Sequence, residues 1–189
     1  MAIDKIISAS ITDGTIATAD IADGAVTSVK TTGVGGIKQA DTWRMNDTYN
    51  VSGGVDTLIN QYWERADDNG YGRIGTGMTE SSGIFTFPET GIYMIHHTFR
   101  VDAGSTNNYV TVYLSTTTDN SSYDQVTESY SFQSSGSAYT SGNAHCLFDV
   151  TNTSNCKVKF TMRSAANITF AGQTDENQTY ATFIRLGDT

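Results

Sequence analysis

The chain has a single proline, Pro88, and it stands between two β-type runs in the stretch Ser82–Val101, SGIFTFPETGIYMIHHTFRV. Proline fixes its own φ and has no N–H to give a sheet ladder, so it marks a turn here. Beyond it, Gly91–Val101 carries Tyr93, Ile95, His97, Phe99 and Val101 at alternate positions, with Ile92, Met94 and His96 between them. Side chains alternate across a strand with period two. A strand with one wet face therefore reads apolar, then polar. This one is apolar on both faces, which predicts that both are covered, one by a sandwich core and the other by further copies of the same chain.

The same pattern returns at Tyr180–Leu186, where Tyr180, Ile184 and Leu186 share one face and Ala181 and Phe183 the other. Other runs read differently. In Asn108–Ser115, Val110, Val112 and Leu114 alternate with Tyr109, Thr111 and Tyr113, as in a strand with one solvent face. In Lys157–Arg163, Val158, Phe160 and Met162 point inward and Lys157, Lys159 and Arg163 outward. Further strands are expected at Thr42–Asn46, Thr57–Glu64, Ile84–Phe87, Tyr123–Phe132 and Ala138–Val150. With ten tyrosines and charged residues held to 16%, the chain is read as all-β. One sheet of the sandwich is expected to face water and the other a partner.

Residues 1–30 carry a decapeptide repeat, ITDGTIATAD followed by IADGAVTSVK. Its aliphatic residues fall at every fifth place: Ile6, Ile11, Ile16, Ile21 and Val26. A spacing of five suits neither a helix face nor strand alternation. It suits short extended pieces with Asp-Gly corners at positive φ. One aliphatic residue in five builds no core within a single chain, so a multichain stalk or an anchor docked on a partner is expected. A glycine-rich linker, 31–40, separates this segment from a domain at 41–189.

A net charge of −9 with scattered Lys and Arg argues against phosphate-backbone binding, so nucleic acid is not an expected partner. No apolar run is long enough to span a bilayer. The N-terminus lacks a basic patch followed by an apolar core, so no secretory signal is read there. Cys146 and Cys156 flank a turn-like TNTSN segment and are placed on neighbouring strands, too far out of register for a disulfide. No metal site is read from them. His96 and His97 are adjacent and point to opposite faces, His97 as a hydrogen-bonded core residue and His96 at the interface. Asp67–Gly72 reads as a turn. No catalytic constellation stands out. Tyr123, Tyr130 and Phe132, within a Ser/Gln-rich stretch, are candidates for a receptor-facing loop.

The pattern Phe85, five residues, Gly91, Ile92, Tyr93 resembles the core motif of the complement globular-head domain, within the tumour necrosis factor-like superfamily. Ile95 and His97 stand where that family usually has aromatics, and the terminal TFIRLGD resembles its closing strand. The resemblance covers residues 41–189. It implies an antiparallel jelly-roll sandwich of about ten strands forming a tight homotrimer, with Ile92, Met94, His96, Tyr180 and Ile184 at the three-fold axis. The segment ITDGTIATADIADGAVT is similar to parts of bacteriophage tail-fibre and other virion appendage proteins. Together they imply a non-enzymatic virion protein, a fibre, knob or capsid decoration, made in the host cytoplasm and released by lysis. It would attach to other virion proteins through residues 1–30 and present the head for host-surface binding or capsid stabilisation. No cofactor is implied, and calcium at the three-fold apex is left open. Two other readings stay open: a secreted or surface-bound recognition domain of the complement-head type that binds glycan or protein, and a glycan hydrolase.

Overall fold

The computed structural model describes residues 12, 14–22, 24–26, 36–102, 107–135 and 138–189. Two compact units divide between Gly36 and Ile37. In the first, equivalent turns recur ten residues apart: Thr15 N–H donates to Thr12 O at 3.1 Å and Ala25 N–H to Ala22 O at 2.9 Å. Gly14 (φ 77°) and Gly24 (φ 75°) supply the left-handed corner that the Asp-Gly pairs predict. A single 3-10 turn lies between them at Thr18–Asp20. Ile16, Ile21 and Val26 are all exposed within this unit. Ile6 and Ile11 lie outside the described residues.

The second unit is a sandwich of two antiparallel sheets, an all-β jelly roll. In chain order the strands are β1 (Ala40–Met45), β2 (Tyr49–Val51), β3 (Thr57–Leu58), β4 (Trp63–Arg65), β5 (Thr79–Ser81), β6 (Ile84–Thr86) and β7 (Gly91–Val101). They continue as β8 (Asn107–Thr117), β9 (Asp124–Gln133), β10 (Thr140–Val150), β11 (Lys157–Ser164), β12 (Ile168–Phe170) and β13 (Tyr180–Gly187). The seven-stranded sheet runs β2-β12-β7-β13-β1-β4, and β10 pairs along the whole length of β7. The six-stranded sheet runs β5-β6-β11-β8-β9, with β3 against β11. Three of the strands that exceed the expected ten, β2, β5 and β12, have only three residues each.

Where the chain changes sheets, the structure corrects the sequence reading. Thr57–Glu64 is not one strand: β3 pairs with β11, and β4 with β1 in the other sheet. Between them Tyr62 adopts φ 65°, a conformation few non-glycine residues take, and the Trp63 indole donates to Ile59 O at 2.9 Å. The segments after β9 and β10 are also crossings between sheets rather than hairpins, since β9 pairs with β8 while β10 pairs with β7. Cys146 and Cys156 are thus not on neighbouring strands of one sheet, and both are free thiols. Burial pushes the Cys146 thiol up to about 11.

Phe85 stands at the centre of the core, fully buried, with Trp43, Trp63, Phe160 and Phe183 rings between 5.1 and 5.7 Å from its own. Edge and tilted contacts of this kind add to the burial of large apolar area. Val110, Val112, Leu114, Val158, Phe160 and Met162 fill the other wall as their alternation predicts. Lys157 departs from it: the residue is buried, and its ammonium donates to Thr153 O at 2.8 Å. Gly91 has a spatial reason to be glycine. Its φ is 143°, and a Cβ would come within 2.5 Å of Gly187 O.

Candidate functional site

The outward face of the seven-stranded sheet is built from the even positions of β7. Along that strand burial alternates strictly, with Tyr93, Ile95, His97, Phe99 and Val101 in the core and Ile92, Met94 and His96 half-buried on the other side. The register sets Met94 between Ile184 of β13 and Leu147 of β10. One row along, His96 lies between Thr182 and His145. Tyr180 reaches the same patch, its ring 6.4 Å from that of His96. All five predicted face residues lie on the adjoining strands β7 and β13, Ile92, Met94, His96 and Ile184 together and Tyr180 at their margin. Leu147, 62% exposed, belongs with them and was missed. Its signal was present: it is the one aliphatic residue among Asn143, His145 and Asp149 on the outward side of β10.

The two adjacent histidines are in opposite surroundings. His96 is half-buried; desolvation first, and then His145, with its ring 6.4 Å away, hold its imidazole below the ordinary value. His97 is fully buried and, contrary to expectation, neither ring nitrogen has a hydrogen-bond partner among the described residues. It instead stacks on Phe160 at 4.4 Å and 23°, and Trp63 meets it at 6.2 Å. The ring thus does an aromatic side chain's packing. Burial, with a smaller contribution from His96, lowers its pKa to about 3, so it is neutral at pH 7.

The outward face of the six-stranded sheet is of another kind. Tyr130 and Phe132, 58% and 66% exposed, are on strand β9 rather than in a loop. Tyr123 does lie in the loop before β9, with Lys159 Nζ 4.1 Å from its ring centroid. Thr111 is buried and Tyr113 half-buried, so β8 is less wet than its alternation suggested. Arg163 donates to Asp56 at 3.0 Å and to the Tyr109 hydroxyl at 3.3 Å.

One ionic cluster was not legible in the chain. Arg44, on β1, is fully buried and holds Glu64 at 2.9 Å, Asp67 at 3.1 Å and Asp68, so the turn at Asp67–Gly72 supplies two of its partners. Satisfying a buried guanidinium on several sides is what makes its burial tolerable. Among the described residues no group of three or more His, Cys, Asp or Glu is placed to hold a metal ion. Among the described residues no helix is long and apolar enough to cross a membrane.

No family model and no curated protein matches the chain. Solved structures do. Eiger TNF from S. frugiperda superposes with TM-score 0.60 at 13% identity, over 79% of this chain and 93% of that one. Murine APRIL gives TM-score 0.56 at 15% identity, over 78% and 98%. The globular domain of zebrafish complement 1qA protein gives 0.50 at 13% identity, over 80% and 99%. At these identities the likeness is one of fold, and the fold is the tumour necrosis factor-like jelly roll.

Proposed function

We propose that this chain is a bacteriophage virion structural protein, a homotrimeric fibre, knob or capsid decoration. Residues 1–30 join it to other virion proteins, and the jelly-roll head is presented outward for host-surface binding or capsid stabilisation. The observation that carries this reading is the apolar outward face of the seven-stranded sheet. Ile92, Met94, Ile184 and Leu147 lie on three adjoining strands with incomplete cover, whereas a solvated sheet face is ordinarily polar. The jelly-roll resemblance implies three copies closing around that face. The N-terminal repeat supports the rest, since equivalent turns recur ten residues apart and Ile16, Ile21 and Val26 are uncovered in the single chain. The reading assigns no chemistry to the protein: the head works by contact.

Two measurements test it. Native mass of the full chain at micromolar concentration is expected to give three copies, and a monomer sinks the proposal. Removal of residues 1–30 is expected to leave the head's oligomeric state unchanged while abolishing its incorporation into particles; retained incorporation removes the anchoring role.

A further inference from the structure

The six-stranded sheet carries a groove of about 390 Å³ on its outward face, away from the apolar patch. Two rows of the sheet make its floor. Lys159, Ser115 and Gln125 are register partners across β11, β8 and β9, and Thr161 and Tyr113 form the next row. Tyr123 closes one side, and Asp56 and Leu58 line the other. The β8–β9 register slips between Leu114 and Ser115, so that Leu114 faces Thr127 while Ser115 faces Gln125. The residue left over, Val126, is a bulge, and bulges re-aim side chains beside sites.

The charges in this groove do not cancel. Asp56 is engaged by Arg163 at 3.0 Å. Lys159 has no carboxylate within ion-pair distance among the described residues, and its ammonium is held over the Tyr123 ring instead. On a chain of net charge −9, an unmatched cation fixed in a concave site favours an anion locally. The rest of the lining favours a sugar. Tyr113 offers an apolar ring, and burial together with the neighbouring Tyr130 hydroxyl pushes its phenol up to about 12, so it stays protonated. Gln125, Ser115 and Thr161 offer donors and acceptors that suit ring hydroxyls.

We infer that this groove binds a carboxylate-bearing sugar of a glycan, with Lys159 taking the carboxylate, Gln125 and Thr161 the hydroxyls, and Tyr113 the apolar ring face. The inference rests on the host-surface reading above and gives it a ligand class. It also accounts for Tyr123 and Tyr130: one steadies the cation and the other buttresses Tyr113.

The test is titration of isotope-labelled full chain with N-acetylneuraminate and glucuronate, against glucose, N-acetylglucosamine and inorganic sulfate. Acidic sugars are expected to bind about tenfold more tightly than neutral ones, with shifts centred on residues 113, 115, 123, 125 and 159. Lys159→Gln is expected to erase that preference, and Gln125→Ala to weaken acidic and neutral sugars alike; both side chains lie at the surface, so an unchanged spectrum elsewhere verifies the fold. Sulfate binding as tightly as the acidic sugars, shifts elsewhere, or no sugar binding would each overturn the inference. Native mass on the same sample separates the two proposals. A monomer that binds acidic sugar keeps the groove and loses the trimer, and a trimer that ignores it does the reverse.

Discussion

The two sheets share one core yet show opposite faces to the outside. On the seven-stranded sheet the exposed middle is aliphatic, with Met94 flanked by Ile184 and Leu147. On the six-stranded sheet the same depth of strand carries Tyr109, Tyr113, Lys159, Thr161 and Arg163, and its charges are paired or lodged against rings. Both faces come from strands of similar length and identical pleat. The difference lies in which half of each alternating sequence was made polar. One outward face is apolar at its middle and the other polar and aromatic.

The sharpest way to break that comparison is to put a charge on the first face. Met94→Glu is expected to cost about 3–5 kcal/mol per copy in assembly, since the carboxylate would be buried without a partner. Sedimentation should show single chains, while Tyr130→Glu on the other sheet leaves the oligomer intact. If both variants sediment alike, the faces are not distinct in kind.

Next in size is the shared core, through His97. Its folded imidazole is held near 3, whereas an unfolded one titrates near 6.5. As pH falls below 6.5 the unfolded chain takes up a proton that the folded chain refuses, so stability declines with falling pH between those values. The decline is about 1.4 kcal/mol per pH unit, roughly 2–3 kcal/mol by pH 4.5, with His96 adding in the same direction. Urea midpoints across this range measure it. His97→Phe keeps the stack on Phe160 and should flatten most of the slope.

Leu147→Ala tests the missed member of the patch. It is expected to weaken assembly by about 1–2 kcal/mol per copy and to leave the fold of the single chain nearly untouched, because the side chain is 62% exposed there. A dilution series followed by light scattering reads the change. The smallest effect is expected on the wet face, where Arg163→Ala removes a solvent-exposed pair with Asp56 and should leave the thermal midpoint nearly unchanged. A larger loss would mean that this face, too, is held by buried contacts.

How far the chain could be read follows from how each element is held. β7 was legible from Gly91 to Val101 because its apolar residues run on both faces and Pro88 and Gly91 mark its start. The sandwich followed from it, as did the faces of β11 and β13 apart from Lys157, which is buried, and Leu186, which is exposed. Thr57–Glu64 was misread because Ile59 and Trp63 are both apolar and four residues apart, as on one face of a strand, and the φ of 65° at Tyr62 reveals that the chain leaves one sheet for the other. β2, β5 and β12 are too short to carry a period. They are held by pairing: β12 adds to the edge of the long β7, β2 to β12, and β5 to β6. Arg44 with Glu64, Asp67 and Asp68 was invisible for a different reason. Its partners lie 20 to 24 residues away, and nothing in local spacing joins a strand arginine to a turn. Tyr123 and Tyr130 were picked out for their side chains, but the groove that gives them a use depends on a one-residue slip of β9 against β8.

The place of β13 has a consequence for the order of events in the cell. Residues 180–187 pair with β7 on one side and β1 on the other, so they fill the middle of the seven-stranded sheet rather than extend its rim. A ribosome must therefore release residue 187 before strands made some ninety and some hundred and forty positions earlier can close on their common neighbour. Until that moment the edges of β7 and β1 that β13 will join stay unpaired, and a half-made chain offers them to its neighbours.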